Sequence, residues 1–265
     1  MANVTAQAVQ ALRKATGAGM LDSKKALEET GGDHEAAAQL LRERGLAGAA
    51  KREGRENSEG ALALSVVQNR VGAIVELKCE TDFVAKSVEF VACVEKAALQ
   101  LATAGYAGLD GMADEIAQLN LTLKENIAIG KSAMFEASPN GLVDGYLHIQ
   151  NGRGVNAVLV NLEGGSAELA HDLCLHIAFA RPDYLSRDAV PSEVVEQERK
   201  TLETLTRNEG KPEAALAKIV EGRLDGFFKQ ICLLDQPYVK DDKQRVQDVL
   251  GGAKIVEFAQ VVVGS

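Results

Sequence analysis

Near the start of the chain, apolar residues fall at helical spacing and are interrupted by glycine turns. Thr5 is placed to cap a first helix whose stripe is Val9 and Leu12, helped by Ala8 and Ala15, ending at the Thr16-Gly17-Ala18-Gly19-Met20 turn. Asp22 can cap a second helix, with Leu21 and Ala26 as a weak hydrophobic staple and Gly31-Gly32 as its stop. Asp33 caps a third, which turns Ala36, Ala37, Leu40 and Leu41 inward and stops near Gly45. Three such short helices are marginal alone, so they read as a small bundle that docks on something. Lys51 to Gly60 is polar and free of periodicity, which suits a linker.

From Gly60 the pattern changes to alternation. Ala61 to Val67 and Val71 to Leu77 flank Gln68-Asn69-Arg70 as a hairpin, and a helix is predicted from about Asp82 to Ala104 with Val84, Val88, Val91, Val94, Ala98 and Leu101 on one side. The series recurs: Asp144-Gly145 answers Glu59-Gly60, Val155 to Leu162 answers Val71 to Leu77, and a helix carrying Leu169, Leu173, Ile177 and Ala180 follows, at an offset of 85 before the turn and 84 after it. Between the copies, Ile127 and Ile129 suggest a strand up to about Phe135. Beyond Pro191, Ser192 to Arg207 and Pro212 to Phe228 meet at Asn208-Glu209-Gly210-Lys211 as an αα-hairpin. Its apolar positions, Val194, Val195, Leu202 and Leu205 against Ala215, Ile219 and Leu224, are too sparse for a broad core face and predict a projecting pair. A short helix through Val246 to Leu250 and a strand from Ile255 to Val263 close the chain. The expected class is α+β.

Composition narrows the function more than the fold. The 265 residues carry 29 basic and 38 acidic side chains, a net charge of −9, so a nucleic acid backbone would be repelled on average. No apolar run is long enough to span a membrane. Cys79, Cys93, Cys174 and Cys232 show no paired spacing and Met1 to Thr5 carry no signal segment, so the reading is a cytoplasmic, reduced protein. Gly130-Lys131-Ser132 resembles the end of a phosphate loop, but Glu125 stands where that loop needs glycine and no helix follows. Gly152-Arg153-Gly154-Val155-Asn156-Ala157 fits a dinucleotide fingerprint in letters alone, and the strand after it makes a hairpin turn with positive-φ glycines the simpler reading. His171 and His176 are five apart, a wrong spacing for zinc on a helix, and His176 falls on the Leu173 and Ile177 stripe as a core histidine. No arrangement of nucleophile, base and acid is recognisable. Nothing points to an enzyme, a cofactor or a metal.

Thr81-Asp82-Phe83-Val84 stands where a strand gives way to the long helix. One reading makes Thr81 or Asp82 the N-cap, Val84 the start of the core stripe and Phe83 an edge residue of the core. The other makes the same turn a protruding wedge, its backbone fixed by the cap and an apolar knob free to enter a partner. Residue types alone leave both open.

The run from Leu12 to Leu27, with Thr16-Gly17-Ala18-Gly19-Met20 at its centre, and Cys79-Glu80-Thr81-Asp82-Phe83-Val84-Ala85 resemble the elongation factor Ts family. Gly210-Lys211-Pro212, Val220-Glu221-Gly222-Arg223 and Gln236-Pro237-Tyr238-Val239 extend the similarity in family order through the C-terminal part. The resemblance implies a guanine-nucleotide exchange factor for elongation factor Tu, with no direct nucleic acid, membrane or small-molecule partner. It implies a ubiquitin-associated-like docking module with its linker over residues 1–55. It also implies two core subdomains over 56–140 and 141–265, and a helical protrusion over about 192–228. In that family the pair matching Asp82 and Phe83, within Thr81 to Val84, enters between helices of the partner and disturbs its magnesium site. His148 matches a contact histidine, and Arg13 and Met20 match N-terminal contacts. Leu21 stands where relatives carry a second methionine.

Overall fold

The computed structural model describes residues 4–52 and 54–265; Met1 to Asn3 and Glu53 of the expected linker lie outside the described residues. Helices α1 (Ala6–Thr16), α2 (Met20–Glu29) and α3 (His34–Arg52) form the N-terminal bundle around Val9, Leu12, Ala26, Leu27 and Ala37. The Thr5 hydroxyl accepts from the Ala8 amide and the Asp33 carboxylate from the Glu35 and Ala36 amides, as their cap positions predict. Three details differ from the sequence reading. Gly19, not Asp22, precedes the first turn of α2, which leaves Leu21 exposed and removes the staple with Ala26. Ala15 and Ala36 face solvent. And α3 runs through Gly45 and Gly48 to Arg52, because each helical glycine costs only about 1 kcal/mol, which neighbouring contacts can offset.

The remainder is built from two units of one topology. In the first, β1 (Glu59–Val67) and β2 (Val71–Cys79) form a hairpin. The single turn α4 (Asp82–Ala85) leads into the long α5 (Val88–Asp110), which kinks where Gly105 takes φ 66°, then α6 (Ala113–Leu123), and β3 (Ala128–Glu136) returns antiparallel to β2. In the second, β4 (Gly141–Gln150) and β5 (Arg153–Glu163) form the hairpin and α7 (Ala167–Ala180) packs on it. After α8 (Ser192–Asn208), α9 (Glu213–Ile231), the small ribbon of β6 (Pro237–Tyr238) and β7 (Asp241–Arg245), and α10 (Val246–Val249), strand β8 (Lys254–Val262) returns antiparallel to β5. The class is α+β.

Pairing and burial correct the alignment of the two units. Ala61 and Ala63 opposite Leu77 and Val75 face the α5 core, and Leu142 and Asp144 opposite Leu162 and Val160 face α7. The offset is therefore 81 in the first strand and 85 in the second. An offset of 84 in the second strand would match residues on opposite faces, since a one-residue slip inverts every side chain. The second hairpin is thus four residues longer beyond the equivalent pairs Val67 with Val71 and His148 with Asn156. The third strands agree as well: a bulge interrupts β2 and β3 between Val75 and Leu77, and β5 and β8 between Asn161 and Leu162. Each bulge carries a buried polar residue at the same offset of 85, Glu76 accepting from the Lys131 amide and Asn161 donating to the Glu136 carbonyl.

The units stack through the faces turned away from their helices, where Leu62 and Ile74 meet Val143, Ala157, Leu159 and Val261. Their sheets join at one bridge, Leu62 with Gly154. A Cβ on Gly154 would stand 2.3 Å from the Leu62 carbonyl, so this glycine serves close approach, while Gly152, at φ +80°, makes the turn. Only one of the two glycines in that fingerprint is there for positive φ.

The helical pair α8 and α9 packs along a thin seam. Leu216, Val220, Leu224 and Phe228 are its buried positions on α9 and Thr206 on α8; Leu205, expected to face inward, is exposed, and Ala215 and Ile219 are half-buried flanks. Arg187 ties its base by bonding Asp225 on α9 and Asp235 beyond it, its guanidinium 4.8 Å from the Phe228 ring centre.

Candidate functional site

The predicted continuous helix from Asp82 is in fact broken, and the break makes the site. The Thr81 hydroxyl caps α4 by accepting from the Val84 amide at 3.4 Å. Ala85 is buried and Val84 packs on the first unit's core. The helix then stops at Lys86, and Ser87 caps a fresh start by accepting from the Phe90 amide. Phe90 is wholly buried, so the second cap locks the phase of α5 to the core and leaves Val88, expected to point inward, on the surface. Stranded on its own turn, Phe83 is 83% exposed. Leaving such a ring in water forgoes roughly 1.5–3 kcal/mol of burial. The edge-of-core reading of Phe83 does not survive this geometry.

Asp82 points from the same turn and pairs with Lys86 at 2.5 Å. That hydrogen bond holds the Asp82 carboxyl below its usual range, with the Arg153 guanidinium adding to the effect. Arg153 itself bonds the Gly60 carbonyl and the Glu59 carboxylate, so the tip of the longer second hairpin stands beside the α4 end of the first. The Asp82 pair is exposed and contributes little to stability, so it can be exchanged for another partner at small cost.

A carboxylate outside the predicted site fixes this turn. The Glu125 side chain accepts from the Glu80 amide at 2.9 Å, the Thr81 amide at 3.0 Å and the Thr81 hydroxyl at 2.5 Å. Glu80 answers by accepting from the Asn126 amide at 2.7 Å. Sequence reasoning met Glu125 only as the residue that spoils a phosphate loop. Its partners are backbone groups 44 and 45 positions away, which no local spacing rule reveals.

The other predicted contacts lie apart from the turn. Arg13 is in the last turn of α1 and Met20 and Leu21 open α2, so all three are exposed around the Gly17 to Gly19 corner, Leu21 at 73%. Asp22, the next residue, pairs with Lys124 at 2.7 Å, and Lys124 immediately precedes Glu125. His148 is exposed near the end of β4, its Nδ1 3.3 Å from the Tyr146 hydroxyl. Just beyond it the pairing with β5 slips and Ile149 points to solvent.

The tempting motifs resolve as ordinary structure. Gly130-Lys131-Ser132 lies within β3, where a Cβ on Gly130 would meet the Glu76 carboxylate. His176 is buried; its Nδ1 accepts from the Val239 amide, so its Nε2 carries the proton given to Gln236. Burial raises the thiols, Cys79 to about 12 and Cys93 and Cys232 to about 11, which removes nucleophilic character. Among the described residues no group of three His, Cys, Asp or Glu side chains could hold a metal ion, and no helix is long and apolar enough to cross a membrane.

Three proteins with related sequences share one name. Elongation factor Ts of Renibacterium salmoninarum is 44% identical over 283 aligned positions and that of Streptomyces avermitilis 45% over 280, while the Micrococcus luteus protein is 43% identical over 283. Each comparison spans the whole of both chains. A family model described as Elongation factor TS matches residues 80–265, from the clamped Glu80 to the end. On these matches the chain belongs to the elongation factor Ts family.

Proposed function

We propose that this chain promotes release of GDP from elongation factor Tu, with Asp82 and Phe83 as the wedge that enters the partner. The family's role is nucleotide exchange in translation elongation. The observation that carries the finer reading is Phe83 itself: a large apolar ring held in water on a turn whose backbone is capped at Thr81 and clamped by Glu125. Burying that ring in a partner is worth roughly 1.5–3 kcal/mol, which, used to distort the nucleotide site, speeds release about ten- to a hundredfold. Arg13, Met20 and Leu21 dock the N-terminal bundle on the same partner, and His148 adds a contact from the second unit. The working division is residues 1–55, 56–140 and 141–265, with the α8–α9 pair as a further arm, in a cytoplasmic protein.

The mechanism is coupling, with no bond made or broken by this chain. A magnesium ion held between nucleotide phosphates and a GTPase demands near-ideal octahedral geometry. A wedge that displaces the elements around that ion weakens the nucleotide by the energy the displacement costs. Linkage makes the effect reciprocal, so returning nucleotide weakens the factor equally and ejects it. Asp82 exchanges its exposed Lys86 partner for groups of the GTPase as the ring enters.

The test is release of a fluorescent GDP analogue from elongation factor Tu. Substoichiometric amounts of the full chain accelerate release under this reading; release unchanged at saturating chain would overturn it.

A further inference from the structure

We propose that Glu125 is the positioning residue of the Asp82–Phe83 turn, holding it rigid against the load of insertion. The proposal rests on the exchange reading above and adds to it a residue that touches no partner. A threonine hydroxyl has a single proton to give. By taking that proton, Glu125 leaves the Thr81 oxygen as a pure acceptor, which is the role the cap to the Val84 amide requires. The same carboxylate holds the two amides before the turn, and the Glu80 carboxylate holds the Asn126 amide in return. Lys124, in the left-handed conformation at φ 60°, turns the chain out of α6 so that Glu125 reaches the end of β2.

The second unit shows that a cap alone needs no such clamp. At the offset of 85, Ser166 answers Thr81 and caps α7 by accepting from the Leu169 amide at 3.1 Å. Among the described residues, no carboxylate bonds the Gly165 or Ser166 amides. There the first turn runs straight into a helix of 14 residues, whereas α4 has four and ends in a break. The turn that carries a projecting ring and lacks a helix behind it is the one that is clamped. Pressed into a partner, an unclamped α4 would pivot on the break at Lys86, and misplacing a working group by about 1 Å can cost on the order of a hundredfold in rate.

The test measures GDP release from elongation factor Tu as a function of full-chain concentration for wild type, Glu125→Ala, Phe83→Ala and the double variant, with melting curves for each. Glu125→Ala should lower the maximal release rate roughly tenfold while the half-saturating concentration stays within about twofold, since the docking surfaces are untouched. On the Phe83→Ala background the same change should cost less than about twofold, because the clamp then has no ring to hold. Amide exchange at Val84 and Ala85 in the isolated chain should quicken. An undiminished maximal rate, or an equal loss with and without Phe83, would overturn the proposal. If Glu125→Ala lowers the melting point substantially, Glu125→Gln, which keeps an acceptor for the two amides but loses the charge, is read by the same pair of ratios. Wild-type chain that fails to accelerate release would overturn the exchange reading itself, an outcome separate from loss of the clamp's role.

Discussion

The first turns after the two hairpins, Thr81 to Ala85 and Ser166 to Ala170, share one capping device and differ in what it carries. Thr81 and Ser166 both cap, Val84 and Leu169 are both half-buried on their unit's core, and Ala85 and Ala170 are both fully buried. Asp82-Phe83 stands where the second unit has Ala167-Glu168, and Glu168 is the kind of residue a solvated first turn ordinarily carries, favoured there by the helix dipole. Folding needs the cap and the two anchors and places no demand on the position between them. An exposed phenylalanine at that position is a cost to the free chain that its own fold does not return. The comparison separates, within five residues, what builds the structure from what the fold does not require.

The largest expected effect sharpens this contrast with a second phenylalanine only seven residues on. Phe90→Ala empties a fully buried site and should lower stability by roughly 3–5 kcal/mol, measured by denaturant unfolding. A Phe90→Ala chain that melts like wild type would break the claim that the second cap phases α5 to the core.

Acid should act on the units unequally. The buried His176 has its pKa pushed down by burial, and the equivalent position in the first unit is Val91. Folded His176 resists the proton that the unfolded chain binds near pH 6.5, so its contribution is complete above about that value and is lost as pH falls through the lowered folded pKa. Relative to the intrinsic exchange rate, which itself slows in acid, amide protection in α7 should fall more than in α5 as pH drops below about 6.5, and His176→Gln should flatten the difference. Equal acid sensitivity of the two helices would count against it.

Moving the ring to the other unit is a milder test. Glu168→Phe should shift stability by no more than about 0.5 kcal/mol, the range for exposed sites, and leave GDP release unchanged, because among the described residues that turn has no carboxylate clamp. Smallest of all, Lys86→Ala should let the Asp82 carboxyl rise toward its ordinary range by NMR titration, with no resolvable change in melting.

Much of this architecture is legible in the chain. Alternation from Ala61 to Leu77 finds the first hairpin, Thr5 and Asp33 cap where expected, and the stretches after Pro191 fold as the two helices α8 and α9. The helix break escapes because Val84, Val88 and Val91 fit one helical period, and only the depth reached by Phe90 decides the phase. The repeat is found but aligned on letters, Asp144-Gly145 to Glu59-Gly60, where the pleat instead matches Asp144 to Ala63. The site is half legible: the wedge motif is readable as a turn, yet whether its ring is in or out depends on that break. Glu125 is invisible because its bonds run to backbone atoms brought near by the whole first unit.

The central claim is that Phe83 serves the partner and not the fold, and stopped-flow release of fluorescent GDP from elongation factor Tu by wild-type and Phe83→Ala chains, paired with their melting curves, tests it most directly. The account predicts superimposable melting and a release rate lower by about tenfold or more, the worth of one buried ring. A strongly destabilised variant, or a well-folded one that releases GDP as fast as wild type, would contradict it.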